Sequence, residues 1–192
     1  MNTKTVAIII GAVVAAILII VIAIISIRNG LISRDEAVRA AWSQIDTQLQ
    51  RRADLIPNLV NTVKGYAKHE DKIFTEVADA RSRLIGAQGP EAKAEAGAQL
   101  NSALGRLIAI AENYPDLKAN QNFIRLQDEL AGTENRIAVA RGRYNETVRA
   151  YNAAIRKFPG SIFAPGLGLT AAEYFQPPEG SAAVQKVPTV AF

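Results

Sequence analysis

The segment that decides the fold, Val38–Tyr66, has the sequence VRAAWSQIDTQLQRRADLIPNLVNTVKGY. Positions separated by alternating steps of four and three residues are apolar or aromatic, with one exception. They are Val38, Trp42, Ile45, Leu49, Arg52, Ile56, Leu59, Val63 and Tyr66. This spacing puts the series on one face of a helix and is typical of helices that pack in a bundle or a coiled coil. It predicts a long helix that ends near His69.

Local signals predict where this helix begins and where it bends. Asn29-Gly30 favours a break, because glycine is costly inside a helix and asparagine readily adopts turn conformations. Ser33 and Glu36 then have the spacing of a capping box, which predicts that the helix starts near Arg34. Pro57 lacks an amide hydrogen, so it predicts a kink or a division of the helix in the preceding turn.

The same periodicity predicts three further helices. A second, shorter helix is expected from Asp71 to about Gly86, and a third, alanine-rich helix is expected to start at Pro90. A fourth, long helix is expected between the turn residues Asn113–Asp116 and the stop at Phe158–Gly160. Its large apolar residues recur every seven positions, at Phe123, Leu130, Ile137, Tyr144, Tyr151 and Phe158.

The uncharged run Val6–Ile27 is long enough to cross a hydrocarbon core of about 30 Å at about 1.5 Å per residue. It exceeds the roughly 7 to 15 apolar residues of a cleavable signal peptide, so it predicts an uncleaved, single-pass signal anchor. Ala7, Gly11 and Ala15 form a stripe of small residues that either lets two such helices pack closely or reflects only the frequency of alanine in membrane helices. The basic residues near its two ends slightly favour a cytoplasmic location for the rest of the chain, which we call the body, but they do not determine the topology.

The helix lengths predict an antiparallel four-helix bundle in which two long helices flank a short hairpin. The short helices reach only the half that is distant from the membrane, so the near half has two helices and cannot close a core by itself. The residues there that need another partner are Val38, Trp42, Ile45, Val148, Tyr151, Ile155 and Phe158. Three partners are possible: the C-terminal tail, a second copy of the chain, or the lipid surface.

The tail, residues 159–192, contains five of the eight prolines and has no helical period, which predicts an irregular segment. It also carries many apolar residues, including Phe163 and Phe175. Two interpretations therefore remain open, a segment that contacts the bundle and a mobile tail.

The residues that usually carry chemistry are scarce. The chain has no cysteine and one histidine, His69, and it lacks the glycine-rich and nucleophile motifs of nucleotide-binding proteins and serine hydrolases. We therefore expect no catalytic residue, no metal site and no cofactor. The net charge of +4 comes from acidic and basic residues mixed along the chain, which is not the pattern of a nucleic-acid-binding surface.

Arg52 is the one charged residue in the apolar series of the first long helix, where an unpaired charge would be costly. An antiparallel pairing of the two long helices brings it level with Glu134. We expect either an Arg52–Glu134 ion pair that fixes the register or an Arg52 side chain that extends to water. In both cases its role is structural.

Two stretches, 44–66 and 114–145, resemble the two motifs of the LemA family. The first contains Asp54-Leu55-Ile56-Pro57-Asn58-Leu59-Val60, and the second contains Tyr114-Pro115-Asp116-Leu117-Lys118-Ala119-Asn120 and Gly132-Thr133-Glu134-Asn135-Arg136-Ile137. The resemblance implies a bacterial-type single-pass membrane protein with an antiparallel four-helix body. It brings no established catalytic activity, and some relatives are linked to magnetosome membranes. The tail lies outside these motifs.

The expected organisation is a short segment 1–5, a transmembrane helix 6–27, a helical bundle 31–158 and the tail 159–192. The expected function is that of a non-enzymatic, membrane-anchored scaffold that self-associates and organises or shapes the bilayer. The alternative is a regulatory adaptor that docks on another membrane protein, such as a protease or a signalling component. The expected location is a bacterial cell membrane, the inner membrane if two are present, with lipid and further copies of the chain as partners and no nucleic acid.

Overall fold

The structure, a computed structural model, describes residues 3–67 and 69–176, with side chains described from Ile9 onward. Within these residues every regular element is helical, so the predicted all-α fold is confirmed. The helices are α1 (Thr3–Lys64), α2 (Asp71–Gly86), α3 (Gly89–Ala111), α4 (Pro115–Lys118), α5 (Gln121–Arg156) and α6 (Gly160–Phe163), followed by the 3-10 turn Pro165–Leu167.

α1 runs without interruption through both positions at which a break was predicted. The expected break at Asn29-Gly30 and the expected start near Arg34 are wrong, because residues 3–64 form one helix. A glycine inside a helix costs only about 1 kcal/mol, and the backbone hydrogen bonds on both sides offset that cost. Pro57 does not divide α1 either. Its neighbours Ile56 and Leu59 are fully buried, and their packing stabilises the helix around the missing hydrogen bond.

The two short helices agree with the prediction. α2 has the predicted bounds and buries Ile73, Val77, Ala80 and Leu84, the residues with helical spacing. α3 starts at Gly89, one residue before the predicted Pro90, which lies in its first turn. Gly89 has a φ of 80°, a backbone conformation that favours glycine and that allows the sharp turn between α2 and α3.

The fourth predicted helix is divided. The single turn α4 precedes α5, and Asn120 caps α5 through its side-chain oxygen, which accepts hydrogen bonds from the amides of Asn122 and Phe123 at 2.9 and 3.2 Å. α5 has 36 residues and ends at Arg156, just before the predicted stop.

The described chain forms two compact units. The larger one comprises residues 41–145 and 173–176 and contains α2, α3 and α4 together with parts of α1 and α5. Arg81 of α2 donates to the carbonyl oxygen of Ala53 in α1 at 2.7 Å, and Lys93 of α3 pairs with Asp46 of α1 at 2.9 Å. Asn120, just before α5, donates to the hydroxyl of Tyr66, just after α1, and Arg52 of α1 contacts Glu134 of α5. The two helices are therefore antiparallel.

The smaller unit comprises residues 3–40 and 146–172. Its core contains Leu31 and Val38 of α1 together with Val148, Tyr151 and Ile155 of α5. The chain turns sharply after α5 and packs tightly at Gly160, where a Cβ atom would lie 2.1 Å from the carbonyl oxygen of Ala154 and 3.3 Å from Leu31 Cδ2. Only glycine fits this turn, which directs the following residues back along the unit.

Candidate functional site

The residues predicted to need an external partner are mostly buried within the chain. In the smaller unit Val38, Val148, Tyr151 and Ile155 are buried, and in the larger unit Ile45 is fully buried. Trp42 is partly buried between aromatic rings of its own unit. Phe158 is different, because 81% of it is exposed.

The segment 160–176, which we call the strap, supplies the missing partner in each unit. The contact interpretation of the tail therefore holds for the strap, and residues 177–192 lie outside the described residues. The strap contains α6, the 3-10 turn and a stretch without regular secondary structure that is described as far as Gln176.

In the smaller unit, two neighbouring side chains of α5 hold the strap by its backbone. The Tyr151 hydroxyl donates to the carbonyl oxygen of Thr170 at 2.9 Å. Asn152 uses both ends of its amide on Ala172: its Nδ2 donates to the carbonyl oxygen, and its Oδ1 accepts from the amide, each at 2.9 Å. Asn152 is itself buried, so these bonds satisfy polar groups that have little access to water.

In the larger unit, Tyr144 and Asn145 repeat this arrangement. The Tyr144 hydroxyl donates to the carbonyl oxygen of Glu173 at 2.8 Å. Asn145 donates to the carbonyl oxygen of Phe175 at 3.1 Å and accepts from the Phe175 amide at 2.9 Å. We call each Tyr-Asn pair a clamp.

The Phe175 side chain adds an apolar anchor to this second clamp. Phe175 is buried, and its ring centroid lies 5.8 Å from that of Trp42. The Trp42 ring in turn lies 5.5 Å from the ring of Tyr144. The rings are tilted relative to one another, a favoured geometry for aromatic pairs.

Sequence reasoning did not identify the clamps, although one signal was available. Tyr-Asn occurs at 144–145 and again at 151–152, seven residues later on the same helix. Their strap partners Ala172 and Phe175 are three residues apart.

Burial and nearby acidic groups raise the pKa of both clamp tyrosines. For Tyr144, burial is the main cause of the raised pKa, and the charge of Glu173 adds to it. For Tyr151, burial again contributes most, followed by the charge and the hydrogen bond of Asp35, while Arg39 opposes the shift in pKa. Arg39 lies against Asp35 in an ion pair at 2.9 Å. Both hydroxyls therefore keep their protons, and so remain donors to the strap, up to strongly alkaline pH.

The structure also brings Arg52 and Glu134 together. Arg52 Nη1 donates to Glu134 Oε2, and Arg52 is only 8% exposed, whereas the Glu134 side chain is about half exposed. Burial lowers the pKa of the Arg52 guanidinium, because a desolvated charge is less stable. A cavity of about 70 Å³ adjoins this pair and is also lined by Phe175. It is smaller than the roughly 300 to 1,000 Å³ of typical ligand pockets.

A larger, open groove of about 490 Å³ lies between α1 and α5 in the larger unit. Its lining residues are Gln44, Thr47, Gln48, Asn135, Arg136, Val139, Ala140 and Arg143. Val139 is 56% exposed, and the buried side-chain oxygen of Gln48 accepts no hydrogen bond from the residues that the structure describes.

Among the described residues, no group of three or more His, Asp or Glu side chains is arranged to hold a metal ion. The single histidine, His69, is exposed in the turn between α1 and α2.

The first part of α1 is the most apolar exposed surface of the described chain. α1 is long and apolar enough to cross a membrane, and its most apolar stretch is not buried by any other described part of the chain. A Cβ atom at Gly11 would meet nothing within 4 Å, and Ala15 is exposed. The side chain of Ala7 lies outside the described side chains.

The sequence profile of the LemA family matches residues 41–192, so the matched region includes the tail that the motifs had left out. The chain is 30% identical to magnetosome protein MamQ 2 of Paramagnetospirillum magneticum over 174 residues, covering 77% of this chain and 64% of the relative. Magnetosome protein MamQ of Magnetospirillum gryphiswaldense is 30% identical over 173 residues with the same coverage of 77% and 64%. Protein LemA of Metamycoplasma hominis is 26% identical over 153 residues, covering 79% of this chain and 70% of the relative. The chain thus spans slightly less than two thirds of the length of the magnetosome relatives.

Proposed function

The chain belongs to the LemA family, and we propose that it is a non-enzymatic, membrane-anchored helical scaffold that self-associates and organises the membrane. It crosses a bacterial cell membrane once through the first part of α1. The relatives that are named magnetosome proteins support a role in organising a cell structure.

The observation that carries this proposal is the contrast between the two ends of α1. Most of the body residues predicted to need an external partner, namely Val38, Ile45, Val148, Tyr151 and Ile155, are buried within their units, whereas the apolar residues before Arg28 remain exposed. Those buried residues are not available to a second copy of the chain. We therefore assign self-association to the membrane segment, where Gly11 offers the open space that a second helix needs for close approach.

Single-molecule photobleaching of the fluorescently labelled full chain in liposomes tests this proposal. The wild-type chain should show dimers or larger assemblies at densities where a non-associating membrane protein is monomeric. Gly11→Ile should reduce the associated fraction several-fold, because the added side chain separates the two helices.

The matched control is Ala16→Ile, which adds similar bulk on the far side of the segment from Gly11, about 140° away at 100° per residue. It should leave the assemblies intact. Monomeric behaviour of the wild-type chain at every density would refute the scaffold proposal, and equal loss in both variants would refute the role of Gly11.

A second candidate function is that of an adaptor that docks on another membrane protein, and the groove between α1 and α5 favours it. The groove is open, and Val139 in its lining is an apolar residue that is 56% exposed. A partner docked there would bury this side chain.

A photo-crosslinking amino acid at Val139 distinguishes the two functions in cells. An adaptor should give one dominant product with a foreign membrane protein, whereas a scaffold should give a ladder of its own multiples or no product. The control position is Ile85 on α2, an apolar residue that is 40% exposed and lies outside the groove. The same foreign product from both positions would argue against docking in the groove.

A further inference from the structure

Three large apolar side chains of the smaller unit are exposed although they do not belong to the predicted membrane segment. Phe158 is 81% exposed, Ile162 is 63% exposed and Ile32 is 44% exposed. Phe158 and Ile162 flank the sharp turn at Gly160, and Ile32 follows Leu31, against which that turn packs. We call these three residues the apolar foot.

The turn at Gly160 fixes the level of the foot relative to the membrane segment. Leu31 is four residues beyond Ile27, the end of the apolar run, so the two are separated by about 6 Å along α1. The headgroup layer on each side of a bilayer is about 5 to 8 Å thick. When the apolar run lies in the hydrocarbon core, the foot therefore lies at the level of the headgroups.

The charges of the smaller unit match an anionic lipid surface. Its described side chains include six basic and three acidic ones: Arg28, Arg34, Arg39, Arg149, Arg156 and Lys157, against Asp35, Glu36 and Glu146. Arg156 and Lys157 are exposed and directly precede Phe158, and Arg28 is exposed at the end of the apolar run. Basic residues beside exposed apolar ones are typical of segments that bind anionic membrane surfaces.

We propose that the apolar foot inserts among the headgroups of anionic lipids and that Arg156 and Lys157 bind those headgroups. Continuity with the membrane segment selects lipid as the occupant of this surface. The foot gives the body a second attachment to the membrane besides α1 and limits how the body can tilt. This inference rests on α1 spanning the membrane and does not depend on self-association.

The absence of cysteine allows a single labelled position to report on the foot. Ile162→Cys in the full chain, labelled with an environment-sensitive fluorophore, is reconstituted into vesicles of phosphatidylcholine or of phosphatidylcholine with phosphatidylglycerol. The emission should shift to the blue in the anionic vesicles, and high salt should reverse most of that shift.

Arg156→Gln and Lys157→Gln, in the labelled chain, test the electrostatic part of the proposal. Each substitution should reduce the ratio between the membrane-inserted and the non-inserted state of the foot roughly fivefold. The reason is that each basic residue near an anionic surface contributes about 1 kcal/mol to binding. Val139→Cys, labelled in the same way, is the control for a comparably exposed apolar position in the other unit, and its emission should not respond to phosphatidylglycerol.

The proposal is overturned if the label at position 162 emits as in water in both kinds of vesicle, or if its emission is the same with and without phosphatidylglycerol. Because all of these measurements can be made at densities where the chain is monomeric, they fail or succeed separately from the scaffold proposal.

Discussion

Asn152 satisfies both backbone polar groups of Ala172 with a single side-chain amide, donating to its carbonyl oxygen and accepting from its amide at 2.9 Å. This double contact resembles one rung of a β-ladder, with a helix side chain in the place of the second strand. It holds the strap by its backbone, so the strap residue can be as small as alanine. Asn145 makes the same double contact with Phe175.

Asn152→Ala should release the strap in the smaller unit. Loss of two hydrogen bonds to buried groups should lower the free energy of opening of this region by about 2 kcal/mol. The hydrogen exchange of the Ala172 amide should then be roughly 30-fold faster. Asn61→Ala, at an exposed position of α1, is the control and should leave this exchange rate unchanged.

Gly160→Ala should destabilise the turn that begins the strap. The added methyl group would lie 2.1 Å from the carbonyl oxygen of Ala154, so the backbone has to move, at a cost of about 1 to 3 kcal/mol. Denaturant unfolding in detergent measures this loss. Gly166→Ala is the matched control, because a Cβ atom there meets nothing within 4 Å. Equal stability of the two variants would contradict the close packing at Gly160.

Phe175→Ala should expose Trp42, the only tryptophan of the chain. Removal of a buried phenylalanine costs about 3 to 5 kcal/mol when the surroundings do not collapse. The tryptophan emission should shift to the red, and soluble quenchers should reach it more easily. Tyr174→Ala, which removes the neighbouring aromatic ring that is 39% exposed, should change the emission little.

Glu134→Ala should leave the buried Arg52 guanidinium without its carboxylate. We expect a loss of stability of about 2 to 3 kcal/mol, less than for a fully buried pair, because water reaches Glu134. The double variant Arg52→Leu/Glu134→Leu should lose less stability than the sum of the losses in Arg52→Leu alone and Glu134→Leu alone.

The control for this ion pair is Glu129→Ala, which removes the exposed partner of Arg51 at 3.9 Å. Its effect should stay within about 0.5 kcal/mol. Additive losses in the Arg52 and Glu134 variants would show that the buried pair does not couple the two helices.

Alkaline pH should loosen both clamps. The pKa of Tyr144 and of Tyr151 in the folded chain is raised above the usual tyrosine pKa of about 10, so each tyrosine contributes its full stabilisation below about pH 10 and loses it as the pH rises through the folded pKa. The chain with Tyr144→Phe and Tyr151→Phe should be less stable at neutral pH by about 2 kcal/mol, because two hydrogen bonds are lost.

Above pH 10 the stability of this double variant should fall less steeply than that of the wild-type chain. Urea unfolding across the alkaline range, followed together with tyrosinate absorbance, measures both effects. Parallel stability curves for the two proteins would contradict the raised pKa of the clamp tyrosines.

The helices could be predicted from the sequence where local signals agree with burial. The bounds of α2 followed from the spacing of Ile73, Val77, Ala80 and Leu84, because a period of 3.6 residues can be recognised in a single stretch of sequence. The meeting of Arg52 and Glu134 required only the further assumption that the long helices are antiparallel. The start of α1 was not predictable in this way, since the local penalty at Gly30 is smaller than the combined gain from an unbroken helix and a buried Leu31.

The sequence by itself determined the all-α class, the apolar segment at the start of α1 and the apolar faces that the body has to bury, because periodicity and composition are local properties. Only the tertiary structure decided what covers those faces. The clamps bind backbone carbonyl and amide groups, which every residue of the strap except Pro165 possesses, so residue type alone does not show which residues the clamps bind. Which part of the tail meets Asn145 and Asn152 depends instead on the turn at Gly160 and on the ring of Phe175, two contacts that exist only once the chain has folded.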